Sequence, residues 1–192
     1  SLGESAGLFA MRAWPDRDEM HGRMFSAPLF ATDLTGPRNA LRESWGLPSG
    51  VPVDWHVVLI PRTPNEGRDA LVDAPHARLL IVNTPRECVV GGLRCDVERV
   101  VTNLRCRAIP LDGVPTVHCD ALRSVESAYR EFHMMRTVPP AGVRFYSSAL
   151  ATSYDITREA AADSILQHAQ HGFSFPDVIE RAYTDGVRLF IE

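Results

Sequence analysis

Apolar residues recur at mixed spacings of three and four through residues 4–34, at Leu8, Phe9, Met11 and Trp14 and then at Met20, Met24 and Leu29. That period predicts helix. It is interrupted at Pro15-Asp16, where proline suits the first turn of a second helix and aspartate complements its N-terminus. Gly36-Pro37 is a break, a short helix is expected over residues 38–45 with Gly46 as its stop, and residues 48–52 read as a loop and a subdomain boundary.

From residue 53 the pattern shortens to strand-length apolar runs. Strands are expected at residues 53–60, 78–83, 87–92 and 106–111, with short helices at 67–74 and 96–104. The order β-α-β-β-α-β is the ferredoxin-like, or split βαβ, arrangement. Helical spacing returns from Leu122 to about Met135, with Leu122, Val125, Tyr129 and Phe132 on one face. A turn at Pro139-Pro140 and Gly142 leads to a strand at 143–148, helices at 158–170 and 176–184, and a last strand at 187–192. The fold class is α/β: residues 51–116 form a small subdomain, and residues 1–50 with 117–192 form the larger unit.

Composition narrows the function. The chain has 192 residues, 45% hydrophobic and 23% charged, the balance of a globular domain able to bury a core. Net charge is −4 without a basic run, which argues against a nucleic-acid partner. All 20 basic residues are arginine, so no Schiff-base lysine and no phosphate-loop lysine is available. No apolar run reaches the roughly 18 residues that would span a bilayer, so no membrane partner is expected. Cys88, Cys95, Cys106 and Cys119 form no C-x-x-C pair, signalling neither a metal site nor a disulfide framework. Free thiols and a cytoplasmic location are the expectation.

The candidate chemistry begins at Ser1-Leu2-Gly3-Glu4-Ser5-Ala6-Gly7. The stretch reads as the second half of a nucleophile elbow, as a Ser-x-x-Glu capping box, or as an N-terminal nucleophile whose own amine is the base. The first two are compatible, since an elbow serine also opens a helix. A serine needs a base from elsewhere in the chain. His21 and His133 lie among polar neighbours on helices and read as surface, His56 as a core or strand-edge residue, and His76 as a loop residue. His118 sits where the small subdomain rejoins the larger unit, beside the cleft that such a junction makes.

Four landmarks carry a resemblance. Ser1-Leu2-Gly3-Glu4 with Ser5-Ala6-Gly7-Leu8, then Val82-Asn83-Thr84-Pro85 with Val89-Val90-Gly91-Gly92, then Val114-Pro115-Thr116-Val117-His118-Cys119, then residues 187–192, occur in order along the chain. Together they resemble the malonyl-CoA:acyl carrier protein acyltransferase family, and most of all the acyltransferase domains of polyketide-type polyunsaturated fatty acid synthases. The stretch at Ser26–Phe30 adds to the likeness.

The resemblance implies an α/β-hydrolase-like core, here partial, with an inserted ferredoxin-like subdomain. It implies acyl transfer from acyl-CoA to the phosphopantetheine thiol of an acyl carrier protein, within a synthase of neighbouring domains, and with no bound cofactor or metal. Ser1 would be the nucleophile, His118 the base, and the backbone N–H of Leu2 an oxyanion donor. His168, with Gln167, matches the segment that orients the histidine. Malonyl-specific members place an arginine on the helix after the elbow; that position is Ser26 here, with Arg23 one turn earlier as the candidate for a substrate carboxylate. Malonyl specificity is therefore open to an acetyl or longer acyl group. On this resemblance the chain starts at the nucleophile of a longer domain, and residues 1–192 by themselves are expected to fold poorly. A thioester hydrolase of the same fold and a catalytically idle carrier-docking module are the alternatives.

Overall fold

The structure, a computed structural model, describes residues 2–191, and side chains from residue 3 onward. Helix α1 (Leu2–Ala10) buries Leu8, and α2 (Arg17–Ser26) starts where expected: Asp16 caps it by accepting the Glu19 N–H at 2.9 Å. A 3-10 turn (Pro28–Phe30) and α3 (Asn39–Ser44) follow, and Gly46 closes α3 with φ +60°.

The middle of the chain forms β1 (Trp55–Ile60), α4 (Pro64–Ala70), β2 (Ala77–Thr84), β3 (Glu87–Leu93), α5 (Arg94–Leu104) and β4 (Ile109–Pro110). The sheet order is β4-β1-β3-β2-β7, with β7 (Phe173–Ser174) contributed from much later in the chain. Neighbours among the first four are antiparallel, and β7 joins β2 in parallel. The strands are apolar on both faces because both are covered. Val58, Ile60, Val82, Cys88 and Val90 face a core shared with α5. Trp55, Val57, Leu80 and Val89 face Leu41 of α3 together with Cys119 and Ala121. Gly92 is fixed by this packing, since a Cβ there would lie 2.1 Å from the His76 carbonyl oxygen.

The remaining elements are a 3-10 helix (Asp120–Val125), α6 (Glu126–Phe132), the hairpin β5 (Phe145–Ser147) with β6 (Thr152–Tyr154), α7 (Arg158–Gln170) and α8 (Phe175–Thr184). All but α8 pack with α1 around Trp14, Leu29, Leu34, Tyr129, Met135 and Ile165, whereas α8 lies against β2 and the β5–β6 hairpin.

Several expectations need correction. Helix α4 starts three residues early because Thr63 and Glu66 form a reciprocal capping box with Pro64 in the first turn. The strand expected over 106–111 shrinks to β4, an exposed edge in which Pro110 has no N–H to give. The single helix expected from Leu122 to Met135 is split. Asp120 is drawn off by the Trp45 indole at 3.1 Å and by Arg78, and α6 stops at Phe132.

The strand expected at 187–192 does not form over Val187–Ile191. Alternation alone does not make a strand: among the described residues, Val187–Ile191 pairs neither with the five-stranded sheet, which ends at β4 and β7, nor with the β5–β6 hairpin. His133 is buried, not on the surface: its ring packs against Trp14, Tyr129 and Phe132. Among the described residues, the larger unit shows no parallel sheet of its own; the one parallel pair is β2 with β7.

Candidate active site

The site is built on the C-terminal end of α7. Thr157 caps its start by accepting the Ala160 N–H at 3.0 Å, and Ala161, Ala162, Ile165, Leu166 and Ala169 hold it in the core. A helix end leaves its last carbonyls without intrahelical donors. Here the Gln167 carbonyl accepts the His171 N–H at 3.1 Å, while the His168 and Ala169 carbonyls are both taken by residue 118. The His118 backbone N–H donates to Ala169 O at 2.6 Å, and its ring Nδ1 lies 2.6 Å from His168 O.

This double contact requires an unusual backbone. His118 has φ +65°, a left-handed conformation that costs an L-residue roughly 1–2 kcal/mol. The two hydrogen bonds offset that cost and fix the ring. A carbonyl oxygen only accepts, so Nδ1 must carry the proton, and Nε2 is left with its lone pair. Burial pushes the imidazole pKa down to about 4, against a partial opposing pull from the His168 carbonyl. At neutral pH the ring is uncharged, with the lone pair of Nε2 unprotonated.

Its neighbours add no competing chemistry. The His168 and Phe173 rings lie 4.7 and 5.3 Å from the His118 ring, and His168 itself is held neutral, pushed down to about 2 chiefly by burial. The adjacent Cys119 thiol is pushed up to about 12 by burial and is inert as a nucleophile. Phe173 belongs to β7, so the site is tied to the sheet through β2. Beside it, a cleft of about 420 Å³ opens between β2 and the β5–β6 turn, lined by Arg68, Ile81, Ser148, Phe173 and Asp177 among others.

The other sequence candidates fall as follows. Ser1 lies outside the described residues. Leu2 opens α1, where a backbone N–H has no intrahelical acceptor. His168 meets His118 through its backbone carbonyl, whereas Gln167 spends its carbonyl on closing the helix. Arg23 is engaged elsewhere. Its guanidinium donates to the carbonyls of Glu131 (2.8 Å), Phe132 (3.1 Å) and Met134 (3.3 Å) and to Glu19 (2.6 Å), stapling α2 to the end of α6. Among the described residues, no group of three His, Cys, Asp or Glu side chains could hold a metal ion, and no helix is long and apolar enough to cross a membrane.

Sequence reasoning missed the polar cluster at Glu4. The capping box with Ser1 lies outside the described residues; Glu4 Oε1 accepts the Tyr154 hydroxyl at 2.9 Å and the Ser164 hydroxyl at 2.5 Å. The only signal for this in the sequence was Glu4 itself, because its partners lie 150 and 160 residues away.

No family model matches the chain. It is 23% identical over 208 residues to one polypeptide of the polyunsaturated fatty acid synthase of Thraustochytrium sp., a match covering all of this chain and 10% of that protein. Among solved structures it is similar to the acyltransferase domain of an iterative polyketide synthase in enediyne biosynthesis, with TM-score 0.64 and 16% identity over 94% of this chain and 44% of that one. It is likewise similar to a malonyl transacylase solved in complex with its type II polyketide synthase acyl carrier protein, with TM-score 0.61 and 16% identity over 79% and 50%. The chain thus spans about a tenth of the curated relative and no more than half of these solved chains.

Proposed function

We propose, starting from the fold shared with acyltransferase domains, that this chain moves an acyl group from coenzyme A to the phosphopantetheine thiol of an acyl carrier protein. The carrier protein and neighbouring synthase domains are its partners. The observation that carries the reading is the 2.6 Å contact between His118 Nδ1 and the His168 carbonyl, which leaves Nε2 free to act as a base.

In this mechanism the Ser1 hydroxyl oxygen bonds to the thioester carbonyl carbon as its proton passes to His118 Nε2. The tetrahedral oxyanion is met by the Leu2 backbone N–H. The carbon–sulfur bond then breaks, and the imidazolium returns its proton to the departing coenzyme A thiol. The carrier thiol repeats the sequence in reverse on the acyl-serine. A backbone carbonyl takes the orienting place that a carboxylate holds in Ser-His-Asp triads. The antiparallel order β4-β1-β3-β2 supports reading residues 51–116 as a ferredoxin-like subdomain inserted in an α/β-hydrolase-like core of residues 1–50 and 117–192.

The test is incubation of the full-length protein with radiolabelled malonyl-, acetyl- and longer acyl-CoA. A stable acyl-enzyme that passes its label to holo carrier protein, and that is lost in Ser1→Ala and slowed at least 100-fold in His118→Ala, is the expected result. No labelling with any acyl-CoA sinks the proposal. Release of free acid faster than transfer to the carrier would make the protein a thioester hydrolase instead.

A further inference from the structure

Helix α7 makes two polar connections on successive turns. At its C-terminal end the His168 carbonyl holds the His118 ring, and one turn earlier Ser164 donates to Glu4 at 2.5 Å. Glu4 is in the first turn of α1, three residues after Ser1 in the chain. The first turn of α1 and the His118 ring are therefore referenced to the same short stretch of α7.

The connection is a directed chain of donors. The Leu150 N–H donates to Ser147 Oγ at 3.3 Å, Ser147 and Ser164 share a 2.7 Å hydroxyl contact, and Ser164 donates to Glu4 Oε1. Tyr154 of β6 donates to the same oxygen from the other side. Ser147 and Ser164 are almost fully buried, and Glu4 Oε2 is buried with no hydrogen-bond partner among the described residues. A buried carboxylate with an orphaned oxygen is a poor way to gain stability, because its desolvation opposes folding. Its directed contacts give the first turn of α1 one fixed angle relative to α7 instead.

We propose that Glu4 is a positioning residue for acyl transfer: acting through Ser164 and Tyr154, it sets the start of α1 against the His118 ring. The inference rests on the acyl-serine reading above. Misplacing a nucleophile by about 1 Å costs on the order of 100-fold in rate. Glu4 is the residue through which the first turn of α1 makes its polar side-chain contact with α7.

The test is single-turnover acylation of the full-length protein by the acyl-CoA that labels the wild type. The variants are Glu4→Gln, Glu4→Leu, Ser164→Ala and Glu4→Gln/Ser164→Ala, each with its folded fraction measured by urea unfolding. Glu4→Leu is expected to lower the acylation rate constant per folded molecule 10- to 100-fold while leaving the acyl-CoA concentration at half-maximal rate within twofold. Glu4→Gln, which keeps an acceptor oxygen, recovers part of that rate. Ser164→Ala reproduces the loss, and the double variant is no slower than its slower parent.

A purely structural role would reduce the folded fraction and leave the rate constant of the folded molecules unchanged. That outcome, or wild-type rates in Glu4→Leu, overturns the inference and leaves the acyltransferase reading intact. Failure of the wild type to acylate overturns both.

Discussion

His133 offers a test of the core that is independent of the chemistry. It caps the end of α6, is 4% exposed, and its Nδ1 lies 2.8 Å from the Tyr129 carbonyl. Burial pushes its pKa from 6.5 down to about 4, partly opposed by that carbonyl and reinforced by the nearby Arg23 guanidinium. The unfolded chain therefore binds a proton at higher pH than the folded one. The stability held by the neutral ring is complete above the unfolded value, and it drains as pH falls through 6.5 towards 4.

Near pH 5.5 the slope from this one residue is about 1.2 kcal/mol per pH unit, and between pH 7 and 5 it loses about 2 kcal/mol. His118, pushed down to about 4 as well, contributes a similar amount, so the pair accounts for roughly 4 kcal/mol over that window. His133→Gln keeps a donor for the Tyr129 carbonyl but cannot ionise. Urea unfolding of the full-length protein at pH 7, 6 and 5 should show the variant losing about 2 kcal/mol less than the wild type between pH 7 and 5. Parallel pH dependences for wild type and variant would refute the argument, since they would mean that the buried ring is not held neutral by its surroundings.

Two further outcomes follow from the packing. Gly172→Ala puts a Cβ 2.6 Å from the Leu79 carbonyl oxygen and 3.0 Å from that of Leu80, backbone atoms that cannot rotate away. It should cost about 1–3 kcal/mol and raise amide exchange at Ile81 and Val82, where β7 pairs with β2; an unchanged Tm would contradict this. Arg23→Met removes the staple to the Glu131, Phe132 and Met134 carbonyls and should lower stability by about 1–2 kcal/mol. KM for malonyl-CoA should stay within twofold, whereas a rise of tenfold for malonyl- but not acetyl-CoA would return Arg23 to the substrate.

What the sequence determined by itself lies within a few residues of each signal. Asp16 sets the start of α2, Gly46 the stop of α3, and residues 158–170 are helical at the limits their pattern predicts. The apolar runs of β1, β2 and β3 are legible for the same reason, because side-chain period and caps act locally. The capping box at Thr63–Glu66 was equally local, and it was missed only because the surrounding Pro and Asn obscured it.

Other features depended on partners far along the chain. Val187–Ile191 has a strand's alternation but pairs with no edge among the described residues, while Phe173–Ser174, too short to signal anything, found one on β2. His133 reads as a surface residue of its helix and is buried between Tyr129 and Phe132 nearby and Trp14 from 119 positions away.

The candidate site divides in the same way. His118 could be singled out from its place in the chain and from the landmark around it. Its tautomer and its left-handed backbone go with its hydrogen bonds to the His168 and Ala169 carbonyls at the end of α7, 50 and 51 residues on. Its neutral charge comes from burial, which outweighs the opposing pull of the His168 carbonyl. Glu4 is the clearest case. Sequence offered it a local role three residues from Ser1, and its contacts with Tyr154 and Ser164, which only the tertiary structure brings within reach, carried no sequence signal. A buried polar group takes whatever partner the packing brings within 3 Å, and the packing is decided by the whole chain.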